Sequence, residues 1–227
     1  MTVFDARYFA YATISAALVI SPGATMAVVM ETAIGEGRVA AMYTVLGVNI
    51  GNSTLALSSA LGMSFVFMHW PWTLPAVKAA GAAYLTYLGL RGLWFAWKPR
   101  AAGGGTGLAR QGAGRDDGAA GEAAATPGHI SRRAAVGRGV TTNLLNPPVI
   151  LFYMTFLPQF IGPQDPFFAR FLVLAATHVS MSLVWLSIYA AALGVLAERM
   201  ARPRVRRALE ALTGTLLVGL GLRLLIR

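Results

Sequence analysis

Six long apolar stretches separated by short polar gaps set the pattern of this chain. They cover Tyr8–Met30, Ala40–Phe67, Leu74–Trp97, Val136–Phe160, Phe168–Leu196 and Val205–Ile226. A helix needs about 20 residues to cross the hydrocarbon of a bilayer, so each stretch is long enough for one crossing. The second and fifth exceed that length, which predicts tilt or extension beyond the lipid. In the sixth, Arg206, Arg207 and Glu210 shorten the clean apolar part. The expected fold is therefore all-α and integral to the membrane, with six transmembrane helices.

Two stretches carry a helix breaker inside them. Ile20-Ser21-Pro22-Gly23-Ala24-Thr25 interrupts the first, and Asn143-Leu144-Leu145-Asn146-Pro147-Pro148 interrupts the fourth. Proline lacks an N–H and crowds the preceding turn, and glycine has little helix propensity. In lipid every freed backbone group needs a partner, so a break at mid-depth belongs beside protein or a water-lined cavity. The helix that restarts after a break exposes N–H groups and partial positive charge, which suits a carboxylate. Read singly, each proline is a kink whose freed carbonyls are met by Ser or Asn. Read together, the breaks predict a solute site formed by Ser21, Pro22, Gly23, Ala24, Thr25, Asn143, Asn146 and Pro147.

The pairing rests on an internal repeat. Leu88-Gly89-Leu90-Arg91 ends the third stretch and Leu220-Gly221-Leu222-Arg223 ends the sixth, with a proline break in the first stretch of each half. Three spans per half turn the second copy upside down relative to the first. Inverted repeats with interrupted helices at matching positions point to a transporter site near the bilayer midplane. The expected organisation is two inverted three-helix repeats, residues 1–98 and 136–227, joined by a flexible linker over 99–135. Within the linker, Ala101–Gly128 is rich in Gly and Ala and has no apolar period with which to bury a core.

Composition agrees with this pattern. Of the 227 residues 56% are hydrophobic and 12% charged, against about 25% charged in soluble domains. A formal charge of +10 would suit nucleic acid, but the charges fall mostly in the gaps between apolar stretches. Arg38, Lys98, Arg100, Arg110, Arg115, Arg132, Arg133, Arg138, Arg199, Arg202, Arg204, Arg206 and Arg207 share one side of a six-span topology. Arg7, Arg170, Arg223 and Arg227 fall on the other. The charge excess thus orients the protein with both termini outside the cytoplasm, and the expected partner is the lipid bilayer, not nucleic acid. Trp70, Trp72, Trp94 and Trp97 flank the second and third stretches as interfacial aromatics. Asp5 beside Arg7, and the length of the first stretch, argue against a cleaved signal peptide, so that stretch is expected to remain as the first span.

Fewer residues carry chemistry. Gly47 and Gly51 have the spacing that lets helices approach closely, and Asn49 and Asn52 share a helix face. Those asparagines either line the solute site or bond neighbouring helices. His178 is an ionisable group of the fifth stretch and a candidate for proton coupling, or else a satisfied packing residue. Glu31 is expected at the cytoplasmic interface, solvated or paired with Arg38. No Cys is present, the three His are scattered, and no Gly-rich phosphate loop occurs. Metal binding, ATP drive and catalysis therefore lack their residues, and neither cofactor nor enzymatic activity is expected.

The chain resembles the lysine exporter and threonine/homoserine efflux (LysE/RhtB-type) family. The matches are Pro22-Gly23, Gly35-x-Gly37-Arg38, Gly47-x-x-x-Gly51, Ala80-Gly81-Ala82-Ala83-Tyr84-Leu85 with Leu88-Gly89, Asn146-Pro147 and Phe156-Leu157-Pro158-Gln159-Phe160. The resemblance implies a six-helix carrier of the bacterial inner membrane that exports amino acids or related small zwitterions on an ion or proton gradient. Two positions depart from the family pattern: Ala24 stands where a second proline is common, and Pro148 where a basic residue often follows Asn-Pro. The other classes left open are an exporter of a non-amino-acid solute, a membrane enzyme with polar side chains converging around His178, and a scaffold or sensor acting through the basic linker. A homo-oligomer is also left open.

Overall fold

The structure, a computed structural model, describes residues 4–70, 72–97, 130–162, 164–192 and 202–225. Every regular element among them is helical: α1 (Ala6–Ile20), α2 (Ala24–Glu36), α3 (Arg38–His69), α4 (Thr73–Trp97), α5 (Arg132–Leu144), α6 (Pro147–Leu151), α7 (Phe167–Ala191) and α8 (Pro203–Leu225). A π-helical turn, Phe152–Phe156, and a 3-10 turn, Leu157–Phe160, continue α6. By length and composition, α3 and α7 can each cross a membrane. The bent pairs α1–α2 and α5–α6, the latter running on to Phe160, bring that number to four if each pair is one span. The linker Ala101–Gly128, the end of the fifth stretch beyond Ala192 and the chain end at Ile226 lie outside the described residues. The expected linker boundary at 135 moves, because Ser131 caps α5 by accepting from the N–H of Ala134 and the helix begins at Arg132.

Both predicted breaks are present. The axis turns by 42° between α1 and α2 and by 60° between α5 and the α6 segment. Gly37, at φ 89°, makes the tight connection from α2 to α3, a conformation that glycine adopts without steric cost.

Packing fixes the relative directions of the helices. Asp5, Tyr11 and Ser15 of α1 and its cap meet Arg170, Leu174 and His178 of α7 in ascending order, so these helices run parallel. Gly47 and Gly51 of α3 lie against Val136 and Asn143 of α5, also in parallel. A Cβ at Gly51 would come within 2.9 Å of Asn143 Cβ, and one at Gly139 would strike the Thr44 carbonyl. The Gly-xxx-Gly spacing therefore serves a close helix crossing. Helices α4 and α8 run antiparallel: Gly89 meets Gly214 and Val218, while Gly221 meets Ala82 and Thr86. A Cβ on Gly89 or Gly214 would fall 2.7 Å or 2.8 Å from the other's carbonyl oxygen. The two glycines of the repeated Leu-Gly-Leu-Arg sequence thus both sit in this one crossing.

The outward faces are apolar. On α3, Leu46, Ile50, Leu57, Leu61 and Phe65 are exposed, while Ala41, Val45, Val48, Ala56 and Ala60 face inward. An exposed apolar stripe of that length has the composition that a lipid-facing surface requires. Inside, two clusters form. One gathers Tyr11, Tyr153, Phe156, Phe160, Phe171 and Leu174 around α1 and α7. The other gathers Met26, Val29, Val45, Val48, Leu186 and Tyr189 around α2 and α3. The break between α1 and α2 separates one cluster from the other.

Candidate functional site

The two breaks line one cavity of about 200 Å³. Its wall includes Ser21, Pro22, Gly23, Ala24 and Thr25 from the first break and Asn143, Asn146 and Pro148 from the second. Asn52 and Ser182 contribute from α3 and α7, and Phe152 and Thr155 from the π-helical turn. Pockets for drug-sized ligands occupy roughly 300–1,000 Å³, so this volume suits a small metabolite.

At the first break, Gly23 is the N-cap of α2 and supplies no side-chain cap. The first intrahelical bond is from the Ala27 N–H to the Gly23 carbonyl, at 3.0 Å. Among the described residues none accepts from the N–H groups of Ala24, Thr25 and Met26, which all belong to cavity-lining residues. These are the orphan donors of a helix start. The Ser21 hydroxyl beside them is buried and has no hydrogen-bond partner.

The second break differs from the sequence expectation. Its backbone donors are used or missing: the Asn146 N–H donates to the Asn143 carbonyl at 3.1 Å, and Pro147 and Pro148 have no N–H. The next donor, Val149 N–H, goes to the Asn146 carbonyl at 2.9 Å. This break presents side-chain oxygens instead. Oδ1 of Asn143 and Oδ1 of Asn146 are buried without partners. Pro147 itself is absent from the cavity wall, and its neighbour Pro148 takes that place.

The two asparagines of α3 separate. Asn52 donates to Ser182 Oγ at 3.4 Å and accepts from Asn143 Nδ2 at 3.3 Å, which ties α3, α5 and α7 together. Asn49 lies outside the cavity wall and donates to the Val45 carbonyl of its own helix at 2.9 Å. His178 does line the cavity; its Nδ1 bonds Ser15 Oγ at 2.8 Å and its ring lies 4.2 Å from that of Phe152. Of the two states expected for Glu31, solvated or paired with Arg38, the side chain is open and its carboxylate accepts from Arg138 at 2.9 Å, not from Arg38.

Sequence reasoning missed Ser15, the partner of His178, and the part of the wall that α8 supplies. Ser15 continues a polar stripe from Tyr8 and Tyr11 at helical spacing, and that stripe is the signal that could have found it. On α8, Glu210, Thr213, Gly214 and Leu217 follow the same helical spacing and all line the cavity. Glu210 had counted only as a charge shortening the sixth stretch; it is 5% exposed. Among the described residues no group of three or more His, Asp or Glu gathers at a place that could hold a metal.

Comparison with known proteins gives a consistent result. The family model described as LysE type translocator matches residues 16–227. The homoserine/homoserine lactone efflux protein of Salmonella typhimurium is 29% identical over 94% of this chain and 93% of its own length. The threonine efflux protein of Escherichia coli is 26% identical over 91% of each chain. An uncharacterised membrane protein of Bacillus subtilis, YrhP, is 27% identical over 94% of this chain and 96% of its own. No solved structure matches the chain significantly.

Proposed function

This chain belongs to the family of LysE type translocators, and we propose that it exports amino acids or closely related zwitterions through the cavity between its two breaks. The family and the named relatives are transporters, so the protein is a membrane transporter and not an enzyme. The observation that carries the proposal is that breaks from opposite halves of the sequence line the same small cavity.

In this reading the solute carboxylate is held at the start of α2, by the free N–H groups of Ala24, Thr25 and Met26 and the Ser21 hydroxyl. Backbone donors at a helix start favour an anion through both hydrogen bonds and the helix dipole. They serve an ester carbonyl as well, since that too is an acceptor. This fits the Salmonella relative, whose name pairs homoserine with its lactone. Asn52, Asn143 and Asn146 form the opposite wall. His178, with Ser15 on its Nδ1, is the group proposed to exchange a proton during the cycle.

The helix directions support a reading of alternating access between two inverted halves. Helix α1 runs parallel to α7, and its counterpart α5 runs parallel to α3, so exchanging the halves reproduces the packing. The symmetric pair α4 and α8 is antiparallel, as inversion requires. The ends of the bundle are tied unequally. Arg170, with its side chain 8% exposed, bonds Asp5 at 2.5 Å and Arg7 reaches Asp165 at 3.9 Å, whereas Arg138–Glu31 joins two open side chains at 2.9 Å. We take the first end as the closed outer gate and the second as the cytoplasmic side, with both termini outside. The bacterial inner membrane is then the site of action.

The test is efflux from loaded proteoliposomes across an amino-acid panel, with and without a pH gradient. Export of at least one zwitterion, lost in Pro22→Ala, is the expected result. Absence of export for every member of the panel would sink the proposal.

A further inference from the structure

We propose that the seam between α1 and α7 is a proton path separate from the solute cavity, leading from the outer end of the bundle through Tyr8, Tyr11 and Ser15 to His178. The inference rests on the carrier reading above. The three α1 residues are three and four positions apart, so they form one stripe that rises about 4.5 Å and then about 6 Å along the axis. Each is bonded to α7. The Tyr8 and Thr177 hydroxyls lie 3.2 Å apart, the Tyr11 hydroxyl donates to the Leu174 carbonyl at 2.8 Å, and Ser15 Oγ is 2.8 Å from His178 Nδ1. Links also run along the stripe: the Tyr11 hydroxyl bonds Ser15 and lies within electrostatic reach of the Tyr8 and Tyr153 hydroxyls. Asp5 and Arg170 pair at the outer end of the same seam.

This polar line runs through apolar packing. Tyr153, Phe156, Phe160, Phe171 and Leu174 surround it, and Tyr11 and Ser15 are fully buried. The Tyr153 hydroxyl is buried there without a partner. A buried unpaired hydroxyl costs about 1–3 kcal/mol, so a seam that served packing alone would gain nothing from it. His178 is met by Ser15 from α1 and by Phe152 and Tyr153 from the π-helical turn. The charged group of the cavity wall it shares is Glu210, which has interactions of its own. A serine hydroxyl suits both states of the imidazole, since it donates to a neutral Nδ1 and accepts from a protonated one. In the uptake step Ser15 gives its proton to Nδ1 and takes that of Tyr11, Tyr11 takes that of Tyr8, and outside water replaces the last. The hydroxyls end neutral and the imidazole has gained one proton. His178 releases it into the cavity when that opens to the cytoplasm, so a proton moves inward as solute moves out.

The path is tested by comparing two modes of transport in proteoliposomes loaded with L-threonine. Efflux driven by an acidic outside needs the proton, whereas counterflow at equal pH moves solute without net proton flow. Tyr8→Phe and Tyr11→Phe keep the rings and should lower the ratio of driven efflux to counterflow at least about tenfold. Ser15→Ala should do the same, and Ser15→Thr, which retains a hydroxyl, should keep the wild-type ratio. Residues that only pack the seam would lower both modes together, so an unchanged ratio in Tyr8→Phe and Ser15→Ala overturns the path. If those variants do not insert, the wild type decides. A pH-sensitive dye inside the vesicles should report acidification in step with threonine efflux, and efflux without acidification contradicts the proposal. Wild-type efflux that ignores the pH gradient overturns the path and leaves the carrier reading standing, whereas absence of any transport overturns both.

Discussion

At the first break the chain passes from α1 to α2 through Gly23 and leaves the N–H groups of Ala24, Thr25 and Met26 free. At the second it passes from α5 to α6 through Asn146, with prolines where the first free donors would stand. Both breaks bend the helix and both reach the same cavity. One offers backbone donors, however, and the other side-chain acceptors. The comparison teaches that a proline break is not a single chemical device. Where glycine follows the proline, the restarted helix keeps its orphan donors; where a second proline follows, it loses them. Ala24 gains meaning from this contrast. It stands where the family often has a second proline, and its N–H is one of the three donors left free.

The largest effect should come from converting the first break into a continuous helix. Pro22→Ala lets the donors of the restarted turn pair with carbonyls of α1, and zwitterion efflux should fall more than about tenfold, a change of about 1.4 kcal/mol or more. Pro147→Ala removes no donor and adds one, so its loss should be smaller; reconstituted efflux of the two variants measures the difference.

Glycines of α5 sharpen the comparison through the scaffold. Gly139→Ala forces a Cβ into the Thr44 carbonyl and to 2.8 Å from Val48 N, whereas Gly137→Ala meets nothing within 4 Å. Overpacking costs about 1–3 kcal/mol, so thermal unfolding in detergent should show Gly139→Ala destabilised and Gly137→Ala unchanged or improved.

A smaller effect separates the asparagines. Asn52→Ala cuts the bonds joining α3, α5 and α7 and should cost about 0.6–1.7 kcal/mol, the range for interhelical bonds in membranes. Asn49→Ala breaks a bond within α3 alone, so denaturant titration should give a lesser loss and efflux should stay near wild type.

The smallest effect lies away from both breaks. Burial works to raise the Asp5 carboxyl, but the Tyr8 N–H and the Arg170 guanidinium outweigh it and hold the pKa below the ordinary 3.8. A lowered carboxyl stabilises the fold above its unfolded value and loses that contribution as pH falls through the folded one. Melting measured from pH 7 down to pH 3 should fall for the wild type, and Asp5→Asn should flatten part of that slope.

The helical class, both breaks and the close approach at Gly47 and Gly51 were legible in the sequence, because each follows from a local rule of periodicity, proline geometry or side-chain size. The partners of polar residues were not. Nothing local tells Asn52, which meets Asn143 and Ser182, from Asn49, which turns back on Val45. His178 stood out as ionisable, yet its bond to Ser15 joins residues far apart in the chain. Glu210 reads in the sequence only as a charge that shortens the sixth apolar stretch. Its burial depends on the antiparallel crossing of α8 with α4, which no local pattern encodes.

The central claim, that the donors at the start of α2 bind the solute, is tested most directly by counterflow of L-threonine in proteoliposomes containing wild type, Pro22→Ala or Pro147→Ala at equal protein density. The account predicts that Pro22→Ala loses most transport and Pro147→Ala retains the larger share. Wild-type transport by Pro22→Ala, or a reversed order of the two variants, would contradict it.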